Sequence, residues 1–380
     1  MSAAARLPRR DEAELRRRQR RGDLRVRTAA EYRRLVREQG LEAAYRATDV
    51  VVAADAEFTD QASLHLALGP TDPPIRLRDA RVGGVPAQAA GGGGDLVLPV
   101  GAGGGRVLAE LLAGRSVEVS AAGEATPLQP RRDLHTRLSL ARIGSGRLLL
   151  HRGIRENGVV AVSSAEGVLR TPYGPLLGPW GNALYSCGGA GSIGLAMPGL
   201  TLLGPGSPVL VGGALGWVVG SGSAHQPRPR RLPGGHARTP GAEVAVCVDL
   251  HGLRPEWVRP ARFEGQGSAL LVAIAAPIPL ISPVVARRAA AGDDELEAPV
   301  LDLAIPRRVR PSPGTVSYAA LRSGRIEVGG QRLRAAPAHS PRLAAAIAAE
   351  LIERLRAGRF PLRLPLRPLA RRVALVPLDD

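Results

Sequence analysis

Short apolar runs interrupted by glycine or proline dominate the chain, and they predict strands and turns. Asp49-Val-Val-Val-Ala-Ala indicates a first buried strand, and Asp95-Leu-Val-Leu-Pro-Val100 indicates another. From Arg137 to Leu333 nearly every segment has this character. We therefore expect a body built mainly of strands.

Helical patterns lie mainly near the two ends. Thr28 and Glu31 predict a capping box that opens a short helix, which Gly40 ends before a second short helix over residues 41–46. Ser340 and Pro341 predict the start of a helix over residues 343–356. The fold class expected is α+β, as a β-rich single large domain with short helices near both ends.

The composition supports one large unit without a linker. The chain has 380 residues, 44% of them hydrophobic, with 47 glycines and 33 prolines, which suits many turns around a sizeable core. We assign residues 1–22 to an Arg-rich disordered tail, 23–370 to the domain and 371–380 to a C-terminal tail. A division near Leu140 stays open.

The charge has a simpler explanation than nucleic-acid binding. The net charge is +17, but all 51 basic residues are arginine and none is lysine, which indicates a composition bias rather than a selected surface. The arginines crowd the first 22 residues without aromatic partners. A solvated tail is favoured there, with a nonspecific anion-binding arm as the alternative.

Cysteine content and hydropathy predict a cytoplasmic protein outside the membrane. Two cysteines cannot form a disulfide framework, and no apolar signal segment opens the chain. The uncharged stretch 268–286 contains Pro277, Pro279 and Pro283, which would interrupt a spanning helix. We expect a buried strand there, followed by an extended proline turn.

Familiar catalytic motifs are missing. Gly189-Ala-Gly-Ser-Ile-Gly194 matches a dinucleotide fingerprint as a string, but Pro198 prevents the helix that such a site needs. There is no Gly-x-Ser-x-Gly elbow, and the seven histidines show no paired spacing for a metal. Metal and serine hydrolases are therefore unsupported.

A few residues still offer chemistry. Cys187 adjoins a glycine loop whose amides could lower the pKa of its thiol, whereas Cys247 lies in an apolar strand and suits a small buried residue. The loop Gly101-Ala-Gly-Gly-Gly105, between a strand and a helix, could bind an anion or form a tight structural turn. His225 ends an uncharged glycine-rich run and is either a site residue or an ordinary strand-end histidine.

Six segments, in the same order, resemble the homocysteine-biosynthesis family known from methanogens and other anaerobes. They are Asp72-Pro-Pro-Ile75, Gly104-Gly-Arg-Val-Leu-Ala-Glu-Leu-Leu-Ala-Gly114, Tyr173-Gly-Pro-Leu-Leu-Gly-Pro-Trp-Gly-Asn-Ala-Leu-Tyr-Ser186, Leu210-Val-Gly-Gly-Ala-Leu-Gly-Trp-Val218 with His225, Ala276-Pro-Ile-Pro-Leu280, and Val316-Ser-Tyr-Ala-Ala-Leu-Arg-Ser-Gly-Arg-Ile-Glu327.

The resemblance implies an enzyme of methionine metabolism that inserts sulfur into L-aspartate semialdehyde through a cysteine persulfide, giving homocysteine. It implies no directly bound cofactor and electrons from a ferredoxin-type iron–sulfur partner. Cys187 and His225 are then the catalytic candidates. The substrate, a small aldehyde resembling an amino acid, would be bound by Asp72, Arg76, Gly103, Gly104, Gly105, Arg106 and Asn182, with Arg76 and Arg106 on its carboxylate.

The resemblance also places two family cysteines where this chain has Asp60 and Thr126. Neither side chain can carry a persulfide. Three function classes therefore stay open: a sulfurtransferase whose sulfur is on Cys187 or comes from a partner, a diverged paralogue that binds an anionic metabolite, and an Arg-rich nucleic-acid-associated protein.

Overall fold

The computed structural model describes residues 7–90, 94–226, 228–305 and 312–371. Its helices are short, and strands dominate. Over the described ranges the α-helices are α1 (Glu12–Arg21), α2 (Ala29–Arg46), α3 (Gly105–Leu112), α4 (Ile193–Ala196), α5 (Pro283–Ala289), α6 (Tyr318–Arg322) and α7 (Pro341–Arg356).

The strands over the same ranges are β1 (Val26–Thr28), β2 (Val50–Thr59), β3 (Ala62–Ala67), β4 (Leu77–Val82), β5 (Val85–Ala89), β6 (Asp95–Pro99), β7 (Val117–Gly123), β8 (Asp133–Leu138), β9 (Ser145–Arg155), β10 (Val160–Val162), β11 (Gly167–Thr171), β12 (Gly174–Gly178), β13 (Asn182–Tyr185), β14 (Pro208–Val211), β15 (Ala214–Ser221), β16 (Glu243–Asp249), β17 (Val258–Phe263), β18 (Gly267–Pro279), β19 (Glu297–Asp302), β20 (Thr315–Ser317), β21 (Arg325–Val328) and β22 (Gln331–Pro337).

Most strands belong to one long sheet. Its order is β1-β2-β18-β14-β15-β16-β9-β3-β6-β5-β4-β7-β8, and β17 pairs with β18 off this path. β2 pairs with β18 along its whole length, from Val50 opposite Pro279 to Thr59 opposite Leu270. A large apolar cluster packs on this sheet, with α7 covering β2 and β18.

A second sheet carries the segment that contains Cys187. Its order over the described residues is β20-β19-β10-β13-β22-β21, and the hairpin β11–β12 stands beside it as a two-stranded sheet. Smaller apolar clusters fill the space around this second sheet. The predicted α+β class is confirmed: a single large domain contains several sheets together with short helices.

Several local predictions are confirmed because they depend on short-range chemistry. The Thr28 capping box is formed, and Gly40 breaks α2 with φ of 81° and ψ of 162°, a conformation that only glycine adopts easily. Ser340 caps α7 by accepting a hydrogen bond from the Leu343 amide. The apolar stretch 268–286 begins as β18, but Pro283 opens α5 instead of continuing an extended turn.

The predicted solvated tail is wrong for residues 12–21, which form α1. Leu15 on this helix is fully buried, and Gln19 donates hydrogen bonds to the carbonyls of Leu355 and Phe360, at 3.1 and 2.9 Å. The polar composition of this segment does not reveal the amphipathic helix, which packs through the buried side chain of Leu15. Residues 1–6 and 372–380 of the two predicted tails lie outside the described residues, and the domain boundaries stay a prediction.

Among the described residues, none of the helices combines the length and the apolar character that crossing a membrane requires.

Candidate functional site

A polar cavity lies beside the second half of β2. Its volume is about 220 Å³, which suits a small metabolite. The walls come from β2, β9 and β18, and from three further segments of the chain. The charged lining residues are Asp55, Glu57, Asp60, Arg152 and Arg155, and Tyr173, Ser186 and Ala338 complete the far wall.

Strand geometry places two carboxyl groups on one wall. Asp55 and Glu57 are two residues apart on β2, so their side chains point to the same face of the strand. The backbone between them is fixed on both edges, because Ala56 pairs with Ala273 of β18 and its carbonyl accepts a hydrogen bond from the Ser340 amide at 2.8 Å. The wall is therefore part of a rigid strand.

Two arginines of β9 supply positive charge. Arg155 forms an ion pair with Glu57, and this charge, acting against the effect of burial, raises the pKa of Arg155. Arg152 holds Glu243 through its Nε at 3.1 Å and one terminal nitrogen at 2.8 Å. Each arginine is thus oriented by a carboxylate and still lines the cavity.

Asp55 has a different environment from Glu57. It is 9% exposed and accepts one hydrogen bond, from the Ile193 amide at 3.1 Å. Burial, and then the negative charge of Glu57, raises the pKa of Asp55 well above the ordinary aspartate value. In the described part of the chain no arginine lies within ion-pair distance of it, so this carboxyl group favours its protonated form.

Cys187 lies behind the cavity wall. Its side chain is 3% exposed, and it packs so closely on Gly158 that a Cβ there would lie 2.5 Å from the Cβ of Cys187. Burial, followed by the charges of Asp55 and Glu57, raises the pKa of this thiol to about 12. The expectation that nearby amides lower the pKa of this thiol is wrong, because its removal from water raises the pKa more than hydrogen-bond donors lower it.

The side chains of Tyr318 and Ser192 adjoin the same thiol and act to lower its pKa, against the larger effect of burial. The Tyr318 hydroxyl in turn donates to the Asn157 side-chain oxygen at 2.6 Å. Cys187 therefore belongs to a buried polar network next to the cavity, while its neighbour Ser186 faces the cavity itself.

His225 takes a supporting position. Its Nδ1 accepts a hydrogen bond from the Glu243 amide at 3.0 Å, and only 6% of the residue is exposed. The Glu243 carboxylate is the group that orients Arg152. His225 is thus connected to the cavity through Glu243 and Arg152 rather than by lining it.

The glycine loop of residues 101–105 lies near one end of the cavity and is tightly folded. A Cβ on Gly104 would lie 2.8 Å from the Pro99 carbonyl, and Gly103 has φ of 114°. Gly105 packs against Leu270, and Arg106 donates to the Gly83 carbonyl at 2.8 Å. These contacts favour the tight structural turn among the two roles considered.

Asp60 and Thr126 lie in different places. Asp60 is exposed at the cavity and lies next to Gly101 of the glycine loop. Thr126 lies in a turn in which its amide and that of Gln129 each donate to the other residue's carbonyl. The position assigned to one family cysteine therefore faces the cavity, and the other does not.

Asp72 and Arg76 do not join the glycine loop in one pocket, which corrects the predicted site. Both lead into β4 at the end of the sheet opposite Pro99 and the glycine loop. The Asp72 carbonyl accepts a hydrogen bond from Arg131 at 2.9 Å, and Arg76 lies 3.7 Å from Glu124, with both side chains exposed. Strand register, which a single sequence does not reveal, separates them.

Asn182 has a structural role. Its side-chain oxygen accepts a hydrogen bond from the Leu177 amide at 2.7 Å, and its nitrogen donates to the Pro175 carbonyl at 3.2 Å. Both polar atoms are thereby used to hold the β12–β13 connection. No contact directs this side chain into the cavity.

The charged residues that build the cavity, Asp55, Glu57, Arg152 and Arg155, are absent from the site predicted from the sequence. One signal was present: Asp55 interrupts the apolar run of β2, and a carboxyl group inside a buried strand needs a reason. The described residues contain no group of three or more His, Cys, Asp or Glu side chains arranged to hold a metal ion.

Comparison with known proteins gives a consistent family. Residues 24–362 match the family described as "Homocysteine biosynthesis enzyme, sulfur-incorporation". L-aspartate semialdehyde sulfurtransferase of Methanosarcina acetivorans is 30% identical over 359 residues, which cover 92% of this chain and 70% of that protein. The protein of the same name from Methanocaldococcus jannaschii is 29% identical, over 80% of this chain and 61% of that protein. No solved structure matches the chain.

Proposed function

This chain belongs to the homocysteine-biosynthesis family of sulfur-incorporating enzymes, and from that membership we propose that it inserts sulfur into L-aspartate semialdehyde to form homocysteine. The observation that carries the proposal is the cavity beside β2. It combines two oriented arginines with three carboxyl groups in about 220 Å³. A substrate with a carboxylate, an ammonium group and an aldehyde needs this mixture of charges.

The charges suggest how the substrate lies. The substrate carboxylate would bind Arg152 and Arg155, whose guanidinium groups match it in shape and charge. Its ammonium group would lie against Asp60, the exposed carboxylate of the cavity. The aldehyde carbon would then point toward the buried end of the wall, where Asp55 lies.

The sulfur source that we propose lies outside the chain's own cysteines. Cys187 is buried with a raised pKa, and Cys247 is half-buried on β16, between Trp217 and Leu149 of the neighbouring strands. A thiol that stays protonated is a poor nucleophile and a poor persulfide carrier. Hydrosulfide, either free or released by a partner protein, is therefore the donor proposed.

The reaction balances in three steps. Hydrosulfide adds to the aldehyde carbon, the carbonyl oxygen takes a proton, and a carbon bearing both hydroxyl and thiol forms. Loss of water from this carbon gives a thioaldehyde. Two electrons and two protons then reduce the carbon–sulfur double bond to the thiol of homocysteine.

The electrons require a partner. We propose a low-potential iron–sulfur protein of the ferredoxin type as the source of the two electrons that reduce the thioaldehyde. A cytoplasmic location, where such carriers and the substrate are found together, belongs to the same proposal.

The test is anaerobic incubation of the full chain with sodium sulfide, L-aspartate semialdehyde and a low-potential chemical reductant, with homocysteine as the readout. The Methanosarcina acetivorans relative serves as the positive control. Homocysteine formed by this chain, and lost when any one component is omitted, supports the proposal. A folded chain that forms none while the control is active contradicts it.

The choice of sulfur donor distinguishes the two sources in the wild-type chain. Equal amounts of sulfur are supplied either as sodium sulfide or as a persulfide-bearing protein, with the other components unchanged. If free hydrosulfide is the donor, sulfide alone should support homocysteine formation. If a partner's persulfide supplies the sulfur, the persulfide-bearing protein should give the faster reaction.

A further inference from the structure

Asp55 and Glu57 of β2 both face the cavity, but their carboxyl groups have different partners. Glu57 is held by Arg155 as an ion pair, so its charge is compensated. Asp55 is more deeply buried and accepts only the Ile193 amide among the described residues. One wall therefore presents a carboxylate and, deeper in, a group suited to hold a proton.

The groups around Asp55 support this difference. On its own strand Glu57 is negative, and Arg155 of β9 is positive and forms its ion pair with Glu57 rather than with Asp55. Behind it lie Cys187 and Tyr318, whose pKa values are both raised by burial, so both are neutral at pH 7. His339, on the segment that pairs with Glu57, has its pKa lowered by burial and is neutral as well.

From this geometry we propose that Asp55 is the general acid of the site, donating its proton to the hydroxyl group that leaves during thioaldehyde formation. The inference rests on the sulfur-insertion function proposed above. In this step the carbon–oxygen bond breaks, water leaves with the Asp55 proton, and a sulfur lone pair forms the carbon–sulfur double bond. The thiol proton passes to solvent, and Asp55 regains its proton for the next turnover.

The raised pKa of Asp55 fits that role. An acid catalyst must be protonated at the working pH, and an ordinary aspartate is not. The requirement predicts a pH dependence in which kcat falls as the pH rises through the pKa of Asp55. Formation of hydrosulfide has the opposite dependence, so the two effects separate at high sulfide concentration.

The experiment compares kcat and KM for aspartate semialdehyde in the wild type, Asp55→Asn and Asp79→Asn, from acidic to alkaline pH. Asparagine has the same shape as protonated aspartate but donates no acidic proton. We expect kcat of Asp55→Asn to fall about 10²- to 10⁴-fold with KM within about threefold of wild type, and the alkaline decline to vanish. Asp79, exposed on β4 far from the cavity, is the matched control for the chemical change.

The possible outcomes distinguish the acid role of Asp55 from the sulfur-insertion function on which it rests. An active wild type with an equally active Asp55→Asn overturns the acid role and leaves sulfur insertion standing. A change in KM alone also overturns it, because it would assign Asp55 to binding. A wild type that forms no homocysteine beside an active control overturns both. If Asp55→Asn does not fold, the wild-type profile decides, and the absence of an alkaline decline rejects the acid role.

Discussion

Two buried aspartates, one just before β2 and one in the middle of the strand, are held in opposite ways. Asp49, just before the strand, is fully buried and contacts Arg25 through two side-chain hydrogen bonds of 2.8 and 2.9 Å, Arg18 at 3.2 Å and Arg10 at 3.7 Å. Asp55, in the middle of the strand, has the Ile193 amide as its hydrogen-bond donor. The same residue type therefore serves as a charged anchor at the first position and as a candidate acid at the second.

The pKa values of the two groups move in opposite directions for this reason. Burial alone would raise the pKa of Asp49, but hydrogen bonds from the Arg25 side chain and amide, with the charges of Arg25 and Arg18, lower it overall. For Asp55 burial and the charge of Glu57 prevail. Burial alone does not mark a catalytic carboxyl group; burial without a compensating cation does.

The largest expected effect is loss of stability in Asp49→Asn. Removing this charge leaves three arginines without their shared carboxylate, so we expect the free energy of unfolding to fall by about 3 kcal/mol. Urea unfolding at pH 7 measures it. Asp23→Asn is the matched control, because its pair with Arg21 is exposed and should contribute below about 1 kcal/mol. Equal effects in the two variants would contradict the anchor role.

The sign of the pH dependence follows from the lowered pKa of Asp49. Its contribution to stability is present above the pKa of an unfolded aspartate and is lost as the pH falls through the lower folded value. The difference in unfolding free energy between wild type and Asp49→Asn should therefore shrink in acid. A difference that stays constant down to pH 2 would be evidence against the ion-pair explanation.

Arg155→Lys tests the charge pattern around Asp55 and Glu57 of β2. Lysine keeps the positive charge beside Glu57 but loses the planar, two-point match to a carboxylate. We expect KM for aspartate semialdehyde to rise about tenfold, or about 1.4 kcal/mol, with kcat less affected. Arg147→Lys, on the same strand but outside this cavity, is the control. An unchanged KM would remove Arg155 from the substrate site.

Asp55→Asn should have a stability effect opposite in sign to that of Asp49→Asn. Asparagine is neutral, so its burial carries no cost of desolvating a charge or of taking up a proton. We therefore expect no loss of stability, and a gain in the free energy of unfolding below about 1 kcal/mol at pH 7. Urea unfolding in parallel with Asp49→Asn makes the comparison direct. A loss of several kcal/mol would show that Asp55 is a second anchor.

Cys187→Ser carries the smallest expected effect. A serine hydroxyl can keep the contacts with Ser192 and Tyr318, and the thiol is not the proposed carrier. We expect sulfide-dependent homocysteine formation within about twofold of wild type. Near-complete loss of activity in a folded variant would restore Cys187 as the carrier and overturn the external sulfur source.

The parts of the fold that could be predicted depend on neighbours in the chain. The capping box at Thr28, the break at Gly40 and the cap at Ser340 each involve residues a few positions apart, and all are confirmed. Helix α1 was missed because its fit depends on a distant partner, the segment from Leu355 to Phe360. The polar sequence of this segment predicts exposure to solvent, whereas contacts with that distant segment bury one side of the helix.

The cavity could not be predicted from the sequence for the same reason, because its residues come from distant parts of the chain. Arg155 and Glu57 are 98 positions apart, and only the fold brings them together. Asp72 and Arg76 were placed with the glycine loop on the strength of resemblance, whereas sheet register puts them at the opposite end. Asp55 alone could have been marked from its own segment, as a carboxyl group within an apolar run.

The contact of α7 with β2 also has a consequence for biosynthesis. The Ser340 amide completes the hydrogen bonding of β2 at Ala56, and α7 covers that strand, yet the two regions are separated by almost 300 residues of chain. A ribosome adding about 5–20 residues per second needs roughly 15–60 s to cross that interval. At Ala56, β2 therefore lacks its neighbours on both edges until first β18 and then the segment from Ser340 onward have been synthesised. During that interval its apolar residues are available for binding by a chaperone.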